Sequence, residues 1–401
     1  MRVKPALVLK ERKVLRKNIN KLPGALLILL ALTPLCSVSC IKSTLKEKER
    51  NLIQDVERFN RDYGSKGITV KNKNIDWRAG LRGDGLILKN SLIKNVNLQT
   101  VKLRNMYIEN SKIENVTIRD WSDFSGSTFK NVKFKNIKFR NDARKSYITL
   151  EDSMFIDCEF VNCEFEDDVI LGKDYINCKF TNCKILNKDY SIYKNKESKN
   201  IVFDGKIENV VFKNSIVRTI LKLKDSKNIQ FINCPIRLDI KGKIDGILIQ
   251  NSTPSTEIPF LRKVEFFEGT FNNVSIIDCK KLPVKFYKAN LNNLLIKDST
   301  VRLEFEISYI SGNNKIENSK IIGNLYGKSK IRNLTITNCN FEDYINIVLS
   351  EFIGLRLNDN TYDDKIKHAV WNEKYTDSDK FPLESKVLPE DDVPDRYFDI
   401  K

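Results

Sequence analysis

The chain has 401 residues, of which 41% are hydrophobic and 30% charged, and its formal net charge is +17. That apolar content suffices for a packed core and excludes disorder throughout. The basic balance excludes a strongly acidic chain, and one histidine, His368, leaves imidazole chemistry a single candidate.

In chain order, the first 21 residues are basic: Arg2, Lys4, Lys10, Arg12, Lys13, Arg16, Lys17 and Lys21 stand against Glu11, a net +7. Without them the chain keeps +10. Residues 22–41 carry no charge, and their apolar heart, Ala25 to Leu35, has the length of a signal-peptide core. It ends in "SVSC". The segment resembles the signal of a bacterial lipoprotein, with Val38 and Ser39 before Cys40, the residue that would carry the lipid. Ser37 stands where that pattern usually has Leu, and the basic region is longer than its norm. An uncleaved anchor with its basic end inside is the other reading. Both readings attach the chain to a membrane, by lipid or by helix, and place its bulk in the bacterial cell envelope.

A stem is expected over residues 41–83. Thr44 with Glu47 fits a capping box. Leu45, Leu52, Ile53, Val56 and Phe59 follow at helical spacing up to Gly64, which predicts a helix over about 44–62.

From residue 84 the period changes. Leu88, Ile93, Leu98, Leu103, Ile108, Ile113 and Ile118 recur every five residues. One residue slips in, and Phe124, Phe129, Phe134 and Phe139 resume the count. Leu150, Phe155, Phe160, Phe165, Ile170, Tyr175, Phe180 and Ile185 then follow after a break. Neither the helical nor the strand period gives five. Two places after each of these residues stands Asn, Asp or Gly, with Thr100 as the one exception. These types tolerate the positive φ that a tight turn needs. Four such units, each turning the chain by about 90°, close one coil of twenty residues with the large side chain inward. The residue two places earlier also points in: Val96, Val101, Ser111, Val116, Val132, Cys158, Cys163, Cys178 and Cys183. Phe155 should then stack on Tyr175, Phe160 on Phe180, Cys158 on Cys178 and Cys163 on Cys183, about 4.8 Å apart.

This pattern resembles that of pentapeptide-repeat proteins, which implies an all-β solenoid, a right-handed quadrilateral β-helix. One departure is that Lys, Glu or Asn often precedes the central residue here (Lys112, Glu159, Lys179), where the family favours Asp or Asn. Weaker runs extend the array over 84–358, through Ile207, Phe212 and Val217, then Phe231 and Ile236. Phe266, Phe271 and Ile276 follow, with a polar miss at Lys281, and further residues continue to Phe341. Breaks near 186–202 and 253–263 are read as loops leaving one continuous solenoid. Residues 359–401 drop the repeat and hold eleven acids against seven bases from Asp363 on. They are expected to cap the last coil or to trail as an acidic tail.

No catalytic, cofactor or metal residues are assigned. The four cysteines from Cys158 to Cys183 have C-x₄-C rather than zinc-site spacing. Core packing, stacked disulfides and a metal stay open for them, packing being the simplest. The densest surface cluster is Lys130, Lys133, Lys135 and Lys138, with Lys133 and Lys138 on successive sides of one coil. It is the candidate for docking an anionic surface or partner, against the alternative of an ordinary solvated face. The function expected is a non-enzymatic, membrane-anchored scaffold that binds a protein partner, with no cofactor and no nucleic acid. An exported carbohydrate-active β-helix enzyme or a secreted effector are the alternatives. A DNA mimic that binds gyrase, an activity of the resembling family, does not fit a basic exported chain.

Overall fold

A computed structural model describes residues 69–76, 82–140, 147–166, 169–186, 202–255, 263–322, 329–342, 351–353 and 356–362. The lipidation candidate Cys40, the helix expected over 44–62, His368 and the acidic end lie outside the described residues. All regular structure described is β-strand, and the chain is a parallel β-solenoid. It divides into two compact units. The first takes the described residues up to Cys178; the second takes Lys179–Leu186 and those from Val202 on.

The first unit has four sides. On one, Leu88, Ile108, Phe129, Phe155 and Tyr175 lie in register on successive coils. On the next, Ile93, Ile113, Phe134 and Phe160 align; on the third, Leu98, Ile118, Phe139 and Phe165. The fourth is a separate sheet of strands 82–84, 102–104, 122–123, 148–149 and 169–170. Thr69–Asp76 pairs with Leu92–Gln99, so residues within the expected stem already lie in the sheet. In the second unit, Thr361–Tyr362 pairs in register with Asn340–Phe341, beyond residue 358.

Turn chemistry makes the corners. Asn90, Asn95, Asn105, Asn110, Asn115, Asn131, Asn136, Asp152, Asp157, Asn162 and Asn177 all take positive φ, and so does Thr100 at 56°. Where the extra residue enters, the corner falls on Trp121 (φ 55°), one place beyond the Asp120 that the count of five selects. Gly172 holds no positive φ; a Cβ there would lie 2.7 Å from Phe155 Cε2 and 2.8 Å from the Ser153 carbonyl oxygen. In that last coil Leu171 is buried and Ile170 is not, so the inward place is one residue later than the repeat suggests.

Inside, rings stack from coil to coil: Phe129 on Phe155 at 4.8 Å, Phe155 on Tyr175 at 4.8 Å, Phe134 on Phe160 at 4.6 Å and Phe139 on Phe165 at 4.8 Å. The place two residues earlier is buried and polar or small for a reason. Ser111 Oγ donates to the Glu109 carbonyl at 2.7 Å and accepts the Ser91 N–H at 3.0 Å. Cys158 Sγ donates in the same way to the Ile156 and Phe129 carbonyls, both at 3.3 Å. Ser and Cys thus satisfy corner backbone groups that burial would otherwise leave without partners.

The second unit loses a corner over part of its length. No residue from 215 to 224, from 234 to 241 or from 299 to 306 takes positive φ. There, inward residues alternate in twos: Val217, Thr219, Leu221 and Leu223, then Ile236, Leu238 and Ile240, then Val301, Leu303 and Phe305. Two five-residue sides have merged into one ordinary strand, and coil length drops to 18 or 19 residues, as the offset from Val217 to Ile236 and from Phe231 to Ile249 shows. The polar miss at Lys281 has the same origin. Lys281 is itself a corner (φ 52°) and exposed, while Leu282 is buried beside Val284 and Phe286.

Candidate interaction faces

Because coils repeat, an outward side chain stands above and below the equivalent ones of its neighbours. In the first unit this sets Lys against Glu. Glu109 lies between Lys89 (3.3 Å) and Lys130 (3.6 Å), Lys94 meets Glu114 at 3.7 Å, and Lys133 meets Glu159 at 2.7 Å. Lys138 meets Glu164 at 3.7 Å. Lys89, chiefly by hydrogen bonding, lowers the Glu109 carboxyl pKa against the opposing effect of burial, and the charges of Lys89 and Lys130 add to it. At the corners, Asn columns run parallel to these rows: Asn115 Nδ2 donates to Asn95 Oδ1 at 2.9 Å, and Asn136 to Asn115 at 2.7 Å.

The four candidate lysines occupy three sides. Lys130 ends strand Thr128–Lys130, Lys133 and Lys135 flank Phe134, and Lys138 precedes Phe139. Lys133 and Lys138 do lie on successive sides of one coil. Three of the four face a glutamate of an adjacent coil, so the cluster is partly compensated, which the local count of lysines does not reveal. The partner glutamates lie about one coil away in sequence, and only a register of twenty or more residues exposes the pairing.

All seven described cysteines are buried thiols. Burial pushes the Cys234 and Cys279 thiols up to about 11. The hydrogen bond with Cys158, followed by burial, pushes the Cys178 thiol well above the ordinary range. Nucleophilic or metal-ligating sulfur is the thiolate, so Cys178, Cys234 and Cys279 favour packing at neutral pH. Among the described residues no group of three or more His, Cys, Asp or Glu is arranged to hold a metal. No described helix is long and apolar enough to cross a membrane.

One face of the second unit was not singled out by the sequence. Phe267 and Tyr287 align outward on adjacent coils, followed in register by Glu306. Beside them Glu265, Lys285 and Glu304 form a second row. Lys285 Nζ lies 2.6 Å from Glu306 and 5.5 Å from the Tyr287 ring centroid. Burial lowers the affinity of this amine for its proton, but the hydrogen bond to Glu306 and the charges of Glu306, Glu304 and Glu265 outweigh it and raise its pKa. Lys288 and Lys241 sit 5.0 Å and 5.4 Å from the Tyr287 and Phe267 rings. At the adjoining corner Ile307 takes φ 51° and stays 48% exposed, with Tyr309 close by at 37%. A β-branched residue in the left-handed region is strained. Its only sequence signal is a missing Asn or Gly where a corner is due.

The register and the five-residue turns define a repeat-built parallel β-solenoid, a scaffold-type fold with broad outer sides. No protein-family model and no curated protein matches the chain. Among solved structures it is similar to HetL, a pentapeptide repeat protein involved in heterocyst differentiation regulation from the cyanobacterium Nostoc sp., at 7% identity over 77% of this chain and 93% of that one (TM-score 0.29). It is also similar to PfbA, a surface adhesin of Streptococcus pneumoniae, at 10% identity over 79% and 89% (TM-score 0.28). A third is a mannuronan C-5 epimerase A-module of Azotobacter vinelandii, at 10% identity over 77% and 91% (TM-score 0.25). Likenesses this remote settle nothing about activity.

Proposed function

We propose that this is a non-enzymatic envelope protein, attached to a membrane through its N-terminal segment, whose solenoid sides are an interaction scaffold for a protein partner. The observation that carries the reading is the build of the outer sides: cross-coil ion-pair rows and Asn columns hold the side chains in fixed register over strands that are themselves locked by core stacking. Such sides are broad and preorganised, which lowers the entropic cost of docking a partner. The lipoprotein-like start at Cys40 supports the attachment, and the +10 carried beyond the first 21 residues supports an anionic surface or partner near Lys130, Lys133, Lys135 and Lys138. The test is fractionation of cells making the full chain, followed by crosslinking and mass spectrometry. A membrane-fraction protein crosslinked to one recurrent partner supports the proposal; a soluble cytosolic chain with no crosslinks rejects it.

A second reading, an exported carbohydrate-active β-helix enzyme, has the Phe267, Tyr287 and Glu306 row behind it as a sugar-binding face, since aromatic faces beside carboxylates suit sugar rings. Binding of purified chain to polysaccharide arrays, abolished by Tyr287→Ala, supports it; arrays with no binding remove it.

A further inference from the structure

The lumen of the first unit is not filled evenly along its axis. Where the inward residues are phenylalanines, rings of adjacent sides meet and narrow it: Phe129 touches Phe134 at 5.5 Å between centroids, and Phe155 touches Phe160 at 5.5 Å. One coil earlier the same columns carry Ile113 above Phe134 and Ile118 above Phe139, and one coil before that Ile93 and Leu98. Aliphatic side chains reach less far toward the axis than the aromatic rings that follow them in the same columns. A cavity of about 110 Å³ results. Ile93, Leu98 and Leu103 point inward and are nevertheless only half-buried. Its lining is apolar from Leu86 through Met106 to Tyr175; the one side-chain hydroxyl among the lining residues, on Tyr175, already accepts the Gly172 N–H at 3.1 Å.

A cavity with no free polar partner does not retain water, and an apolar void of about 150 Å³ is known to stay dry and take benzene or xenon. This one extends past side chains of successive coils stacked about 4.8 Å apart, so it is narrow and long rather than disc-shaped. We propose that the lumen of the first unit is a dry binding site for a slender, uncharged alkyl chain. The guest would lie along the axis against Ile93, Leu98, Ile113 and Ile118 and beside the Phe134 and Phe139 rings. Nothing in the scaffold reading requires this site, and it stands or falls separately from it.

The probe is n-hexanol, added to the full chain carrying ¹³C-labelled Ile and Leu methyl groups, with hexanediol bearing a hydroxyl at each end as the comparison. Saturable shifts at the Ile93, Leu98, Ile113 and Ile118 methyls with n-hexanol, and none with hexanediol, are expected. Ile113→Phe with Ile118→Phe extends the Phe134–Phe160 and Phe139–Phe165 stacks into the void; it should raise Tm and abolish the shifts. Equal response to both alcohols, shifts confined to other residues, a filled variant that still responds, or water cross-peaks to these methyls would each overturn the proposal. If the double variant does not fold, the methyl map of the unsubstituted chain decides alone.

Discussion

Phe155 is held by rings on several sides, and its truncation is a severe test of the packing account. It is 2% exposed, lies between Phe129 and Tyr175 at 4.8 Å on either side, and meets Phe160 at 5.5 Å and Phe134 at 6.0 Å. Phe→Ala in a core costs about 3–5 kcal/mol, because transfer energy is lost and a cavity remains. Each aromatic pair adds about 0.5–1.5 kcal/mol beyond area, so Phe155→Ala should fall at the upper end, about 5 kcal/mol. Coils contact only their neighbours, so the loss should be concentrated near this coil. The assay is hydrogen exchange read on peptides covering 128–130, 154–156 and 174–176, together with denaturant unfolding of the full chain. Lys135→Ala, outward and exposed, should change stability by less than about 0.5 kcal/mol. Protection in Phe155→Ala equal to that in Lys135→Ala would refute the inward register.

Asp123 accepts hydrogen bonds from Ser125 N–H (3.0 Å), Ser125 Oγ (2.7 Å) and Arg104 Nε (2.6 Å). Burial raises its pKa, but the Ser125 bonds and Arg104 lower it further, to a net value below the ordinary one. Its contribution is therefore complete above the unfolded pKa of about 3.9 and lost as pH falls through the lower folded value. Asp123→Asn should cost about 1–2 kcal/mol at neutral pH and flatten the acid limb of a Tm–pH profile; an unchanged limb contradicts the assignment. Ile307→Asn should relieve a strained corner and gain about 1 kcal/mol, visible as a higher denaturation midpoint; a lower midpoint would show that the exposed Ile contributes packing. Gly242 has φ 122°, and a Cβ there would sit 1.8 Å from the Leu223 carbonyl oxygen. Gly242→Ala should cost about 3 kcal/mol or more, and a near-neutral melting curve would exclude that backbone path.

The architecture was legible wherever each five-residue unit carries both its signals, a large inward residue and a corner Asn, Asp or Gly. The run from Leu88 to Ile118 shows this. It failed where the backbone departs from one unit per side. Trp121 and Leu171 each sit one place from the counted position, because inserted residues shift the phase. In the second unit the merged side alternates in twos, so Leu282 and not Lys281 turns inward. The faces were less readable than the core. Glu159 and Glu164 neutralise Lys133 and Lys138 across a gap of 26 residues, longer than the twenty that the repeat alone suggests. Phe267 and Tyr287 become neighbours only through their coil register.

The claim that the outer sides are the working surface is tested most directly by site-specific photo-crosslinking in cells making the full chain. A photoreactive residue would replace, one at a time, Lys130, Lys135, Glu114, Tyr287 and Ile307, with membrane and soluble fractions analysed separately. The account predicts crosslinks in the membrane fraction to one recurrent protein, from positions that share a side. Absence of crosslinks from every position, or recovery of the chain in the soluble cytosolic fraction, would contradict it.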